Sequence, residues 1–209
     1  RYRNSSILNY LPAVEELARR GNYAFRMGAV VEDSLPANDG KIIDYANNGR
    51  TEFLDIFLAA KCRFFLGSAS GIDAVSMIFR RPIIYANMVP LKYFPTWGPD
   101  DLLIPKKLWL REESRYLTFR EILNSEIGMF INTEQYDRLG IQVIENTPEE
   151  ITAVAIEMDE RLNGTWRTTD EDEDMQRRFW SLFEPSELSK VFLSRIGADF
   201  LRCNRELLD

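Results

Sequence analysis

The sequence predicts an α/β protein with a Rossmann-like parallel sheet flanked by helices, and with extra helices at the C-terminus. Three observations predict this. Residues 62–85, CRFFLGSASGIDAVSMIFRRPIIY, read as an apolar strand, a small-residue turn, a helix and a second apolar strand. From residue 5 to residue 85, helical and strand-like segments follow in the order α-β-β-α-β-α-β, the alternation of a parallel sheet. The chain of 209 residues is 45% hydrophobic and 12% aromatic, enough to build a packed core.

The elements follow in order. Apolar Ile7, Leu8, Leu11, Val14, Leu17 and Ala18 recur at helical spacing over residues 5–20, and Gly21 supplies the stop. Residues 23–27 and 42–46 are predicted short strands, separated by a loop carrying Pro36, Asn38, Asp39 and Gly40. Thr51 caps a helix with Glu52 and Asp55 near its start, where carboxylates meet the positive end of the helix dipole. The central unit follows, with strands over 63–66 and 82–85 and a helix over 72–79. Residues 87–107, rich in Pro, Trp, Tyr and Lys, read as a long functional or packing loop. Beyond it, helices are predicted over 118–124, where Thr118 and Glu121 form a capping box, and over 133–139, with a strand over 141–144. Thr147 and Pro148 open a helix that runs to about residue 162 before Asn163 and Gly164. The acidic run 170–174 reads as a solvated linker into a helix over 175–183, and Ser186 caps a last helix to about residue 206. These elements divide into a Rossmann-like domain, residues 1–165, and a helical extension packing on it, residues 166–209. A sheet of this kind starts with a strand, so the leading helix places the expected first strand upstream of residue 1, with a further domain before it.

Charge and composition exclude several function classes. The net charge of −7 argues against nucleic acid as a partner, because phosphate-backbone binding needs a basic footprint. Residues 1–30 hold five basic and two acidic side chains, a balance of +3, so the remainder carries −10; a small local anion site suits this distribution. The chain has no His, which removes Ser-His triads and His-ligated metals, and Cys62 and Cys203 make neither a zinc site nor a disulfide framework. No metal or cofactor is expected. No apolar run reaches the roughly 18 residues needed to span a bilayer, and with only two distant cysteines the expected location is a reducing cytoplasm, at most peripheral to the inner membrane face.

Chemistry must then come from carboxylates, cations, hydroxyls and backbone donors. The turn at residues 67–71 sits at the carboxyl end of a predicted parallel strand and runs into a helix N-terminus, a natural phosphate seat. Small residues there also serve close packing, and both readings stand. The turn lacks the Gly-Lys-Ser/Thr of a Walker loop and the GxGxxG spacing of dinucleotide folds. Arg26 ends one strand and would meet a phosphate or form a surface ion pair; Asp44 ends the next and would hold a ribose hydroxyl, a base edge or a turn. Asp73 serves the helix dipole or a sugar hydroxyl. Lys106 and Lys107 would neutralise a diphosphate or simply be solvated, and Glu149 and Glu150 start a helix or accept from ribose.

The segments RNSSILNYLPAVEELARRGNYAFRMG, IIDYA, FLDIFLAAKCRFFLGSASGIDAVSMIFRRPIIYAN, IPKKLWL and LTFREIL, in this order, resemble a bacterial glycosyltransferase family linked to surface-polysaccharide genes. The likeness spans most of residues 1 to about 185. The pattern strand, G-S-x-S-G, helix, R-P, strand is also similar to the donor half of GT-B glycosyltransferases such as heptosyltransferases. The resemblance implies a nucleotide-sugar donor, a glycan or lipid-linked acceptor, metal-independent transfer, and a catalytic base from an N-terminal domain. It assigns diphosphate contact to Ser68, Ser70, Gly71 and Ile72, phosphate or nucleoside contact to Arg26 and Asp44, and leaves Lys106 as a further cation for the diphosphate. Two other functions stand beside it: a non-catalytic Rossmann-like binding or assembly module, and a nucleotide-sugar 2-epimerase of the same architecture.

Overall fold

The computed structural model describes residues 2–31, 34–36, 39–183 and 192–209. Ser6 caps a 3-10 turn, Ile7–Tyr10, that leads into helix α1, Leu11–Arg19, so the first turn of the predicted helix winds more tightly than the rest. Gly21, at φ +98°, ends it in a conformation that favours glycine. Strands β1, Ala24–Phe25, and β2, Ile42–Ile43, are parallel and shorter than predicted. Thr51 caps α2, Glu52–Lys61, its hydroxyl accepting from the Leu54 N–H at 3.1 Å. The central unit forms as expected: β3, Phe65–Gly67, then α3, Asp73–Ile78, then β4, Ile83–Met88, with β3 and β4 parallel.

The predicted long loop over 87–107 is a correction. It contains β5, Leu102–Pro105, which pairs parallel with β4 and is buried in every residue. Asp101 anchors the strand pair, its Oδ1 accepting from the buried Ile83 N–H at 2.8 Å. A second correction falls at the C-terminus. Ser186 lies outside the described residues, and residues 192–209 form no single helix. They give strand β9, Arg195–Ile196, helix α8, Ala198–Cys203, and a 3-10 turn, Arg205–Leu208. β9 runs parallel to β5, with Arg195 N–H donating to Asp101 O and Gly197 N–H to Leu103 O, each at 3.0 Å. The Gln176 side chain closes its outer edge as a strand would, donating to Ile196 O at 2.6 Å and accepting from Ile196 N–H at 3.1 Å. Gly197 is needed for closeness: a Cβ there would meet Ile104 at 3.0 Å and Val154 at 3.2 Å.

The main sheet thus has the order β3-β4-β5-β9, all parallel, with helices packed against it: an α/β fold with a four-stranded parallel sheet. A separate antiparallel sheet is ordered β7-β6-β8, from β6, Lys107–Leu110, β7, Arg115–Tyr116, and β8, Ile141–Ile144. Between these strands lie α4, Phe119–Leu123, whose Thr118–Glu121 capping box forms as predicted, and α5, Thr133–Arg138. Asn87 and Asn146 lock the two sheets together. Each side-chain oxygen accepts from the other's backbone N–H, at 2.6 and 2.7 Å, and Asn146 Nδ2 donates to Pro105 O.

Helix α6, Pro148–Asn163, has the predicted Thr147 cap, Pro at its start and left-handed Gly164 at its end. It packs against α1, α8 and β5. The acidic run is the third correction. It is the first turn of α7, Asp170–Trp180, capped by Thr169. Carboxylates in a first turn favour the helix dipole, and α8 and its flanks supply the cations: Arg202 grips the buried Asp172 through Nε and Nη2 at 2.8 and 2.7 Å, Arg195 pairs with Glu173 and Arg205 with Glu171. Burial alone would raise the Asp172 carboxyl, but Arg202 and Thr169 bring it down to about 2. The segment assigned to a helical extension therefore also supplies an edge strand of the sheet.

Candidate functional site

A cavity of about 810 Å³ lies between β1 and β3. It reaches from Asn22 and Arg63, at the amino ends of these strands, to Gly28, Ser70 and Gly71 beyond their carboxyl ends, and α1 and α2 both contribute walls. Five of the residues singled out from sequence line it: Arg26, Ser68, Ser70, Gly71 and Ile72.

Local packing fixes the turn that carries four of them. The buried Ser76 hydroxyl donates to Ala59 O at 3.0 Å, tying α3 to α2, and Cys62 Sγ lies 3.8 Å from it. Asp73 opens α3 and is only 9% exposed. Its carboxylate accepts from the Ala74 N–H at 3.0 Å and from the Ser70 backbone; burial raises its pKa against these bonds. The dipole reading of Asp73 is therefore realised, and part of the turn's donor capacity is already turned on the chain's own carboxylate. Ser70 and Gly71 are exposed, and a Cβ on Gly71 would meet nothing within 4 Å, so the outer face of the turn is open.

Arg26 follows β1 directly and extends its pairing, the N–H donating to Ile43 O and the carbonyl accepting from Ala46 N–H, both at 2.9 Å. Its guanidinium lies 3.5 Å from Asp44. Asp44 does not line the cavity; it gathers the neighbouring loops, accepting from Leu35 N–H at 3.0 Å and Asn47 Nδ2 at 2.8 Å. Burial would raise this carboxyl, but Asn47, Leu35 and Arg26 hold it below the ordinary value. Its turn-forming role is present, and it holds Arg26 beside the cavity.

The structure does not bring Lys106 to this group. Lys106 follows β5 directly and is buried, its ammonium donating to Asn4 O at 2.5 Å, and burial lowers its pKa. Lys107 pairs with Glu150 at 2.7 Å, and Glu150 also completes the Thr147 capping box, so both serve the start of α6. The exposed Glu149 carboxyl is lowered by its own backbone N–H and by Thr147. Sequence reasoning missed the α1 wall, Leu11, Val14 and Leu17; their helical spacing was visible, but it did not reveal that they would face a void. Among the described residues no group of three carboxylates or thiols is placed to hold a metal ion, and no helix is long and apolar enough to cross a membrane. Compared with protein-family models, with curated proteins and with solved structures, the chain finds no match in any of the three.

Proposed function

We propose that the chain is the donor-binding half of a GT-B glycosyltransferase, holding a nucleotide-diphosphate sugar for transfer to a glycan or lipid-linked acceptor in surface-polysaccharide synthesis. One observation carries this: Arg26 after β1 and Ser68, Ser70, Gly71 and Ile72 after β3 open onto the same cavity at the carboxyl ends of parallel strands. Open α/β sheets place ligands at that edge. The open face of the turn offers hydroxyls and backbone to a diphosphate, and Arg26 adds a cation. In the transfer itself the bond from the anomeric carbon to the diphosphate oxygen breaks and a bond to the acceptor oxygen forms. The acceptor's proton passes to a base contributed by another domain, and the nucleoside diphosphate leaves with its charge held by serine hydroxyls and the guanidinium.

A second reading is favoured by Asp73, whose carboxylate already occupies the Ser70 and Ala74 donors. On this reading the turn is structural and the chain is a non-catalytic binding or assembly module. Calorimetric titration of UDP, GDP, ADP and CMP against the parent chain and a Ser70→Asp variant separates the two. Donor binding predicts that one nucleotide binds the parent and that the added carboxylate weakens it at least about tenfold, or 1.4 kcal/mol. Equal binding by both proteins, or none by the parent, removes the turn from the donor site.

A further inference from the structure

Two strand edges face each other across the cavity. Among the described residues, β1 pairs only with β2, and β3 only with β4. In a parallel ladder, alternate residues turn their N–H and C=O groups to opposite sides of the strand. Ala24 and Arg26 donate to the carbonyls of Lys41 and Ile43, on the β2 side, so Phe25 between them turns its backbone groups toward the cavity. Phe65 donates to Pro82 O, on the β4 side, so Leu66 turns its groups toward the cavity from the opposite wall. Burial agrees. Phe25 is 41% exposed and β3 is half-buried throughout, whereas β4 and β5 are buried in every residue.

We propose that this slot receives a β-strand, parallel to β1 and β3, supplied by the segment immediately N-terminal to Arg1 in a longer polypeptide. A strand suits it better than an apolar ligand, because two facing rows of backbone donors and acceptors need partners as well as apolar cover. The course of α1 identifies the source. Asn4 O accepts from Lys106, just past the carboxyl end of β5, and the Tyr10 hydroxyl accepts from Asn87 near the end of β4. α1 therefore starts at the carboxyl edge of the sheet and returns to the amino edge, where β1 begins after Asn22. A chain entering α1 arrives at the edge where a parallel strand in the slot would end, so strand, α1 and β1 make one parallel crossover. With β4 and β5 as guides, the strand has four to six residues and, being covered on both faces, a continuous Val, Ile or Leu character. The order becomes β2-β1-inserted strand-β3-β4-β5-β9, one continuous parallel sheet. This inference does not rest on the donor reading: the strand occupies the slot between β1 and β3, and the donor proposed above lies beyond its carboxyl end, at Arg26 and the turn at residues 67–71.

The test is NMR on the protein extended upstream to the initiator methionine of its gene. Both the Phe25 and the Leu66 amides are expected to show cross-strand NOEs to one upstream apolar run. Their exchange is expected to be about a hundredfold slower than in residues 1–209, with the Ile84 and Leu103 amides reporting that each protein is folded. Proline placed within the upstream run is expected to abolish the slowing at Phe25 and Leu66 and spare Leu103. The proposal is overturned if the gene encodes no such run, if the extended protein lacks these NOEs, or if the two amides are protected in residues 1–209 by concentration-dependent pairing with a second copy.

Discussion

The two sides of the parallel sheet are finished to different degrees. On one side β4, β5 and β9 are sealed: apolar strands with no exposed residue in β4 or β5, an edge closed by Gln176, and α6, α7 and α8 packed and ion-paired around them. On the other side the edge strand β3 faces the separate β1-β2 pair across a cavity, and the apolar Phe25, Phe65 and Leu66 stay partly open around it. Apolar composition alone therefore does not bury a strand. A residue gains from burial only what neighbouring elements bring to it, roughly 25 cal/mol per Å² of apolar surface removed from water.

The largest test compares one leucine from each side. Leu103→Ala, in β5, is expected to cost about 4 kcal/mol in urea unfolding, and Leu66→Ala about 1 kcal/mol in residues 1–209. Equal costs would break the comparison; a Leu66 cost that climbs toward that of Leu103 in the upstream-extended protein would sharpen it. The next concerns Asp101 on the sealed side, whose carboxyl is pushed up to about 6, by burial first and by Asp100 as well, against the hydrogen bond from Ile83. A carboxyl with a raised folded pKa binds its proton more tightly folded than unfolded, so its contribution to stability is lost as pH rises from about 4 to about 6. Relative to the parent, Asp101→Asn is expected to remove up to about 3 kcal/mol of that pH dependence, read from unfolding curves at pH 4 and pH 7. The smallest stability effect is Gly71→Ala on the open side. Its new Cβ meets nothing, so stability should move by less than about 0.5 kcal/mol. Nucleotide affinity should nonetheless fall about tenfold, because the methyl stands where a diphosphate would rest on the backbone.

Much of this organisation is legible locally. Thr51, Thr118 and Thr147 each announce a helix that forms, because a cap is a contract between residues three positions apart. The parallel unit around residues 62–85 is legible for the same reason. What escaped depends on distant partners. β5 is four apolar residues, closed by Pro105 inside a Pro- and Trp-rich stretch, and a strand buried on both faces shows no alternation to betray it. β9 is two residues long and exists through Leu102, Leu103 and Gln176. Five consecutive acids look like a solvated linker until Arg195, Arg202 and Arg205 arrive from the other end of the chain. Around the cavity, the strand ends read from the sequence do bring Arg26 and the turn at residues 67–71 to one opening, since a carboxyl edge follows from parallel order. Lys106 was misplaced because the loop assumed to carry it is the end of a buried strand.

The pairing of Leu102 with Arg195 joins residues 93 positions apart. During synthesis β5 therefore leaves the ribosome with one side bare and waits for its last neighbour. At about 5–20 residues per second the wait is roughly 5–20 s. Throughout it, an apolar strand offers an unpaired row of amides to any other nascent chain nearby. The yield of intact protein in a host should therefore track how quickly residues 106–194 emerge and how crowded the translating ribosomes are, and a slower initiation rate should raise it.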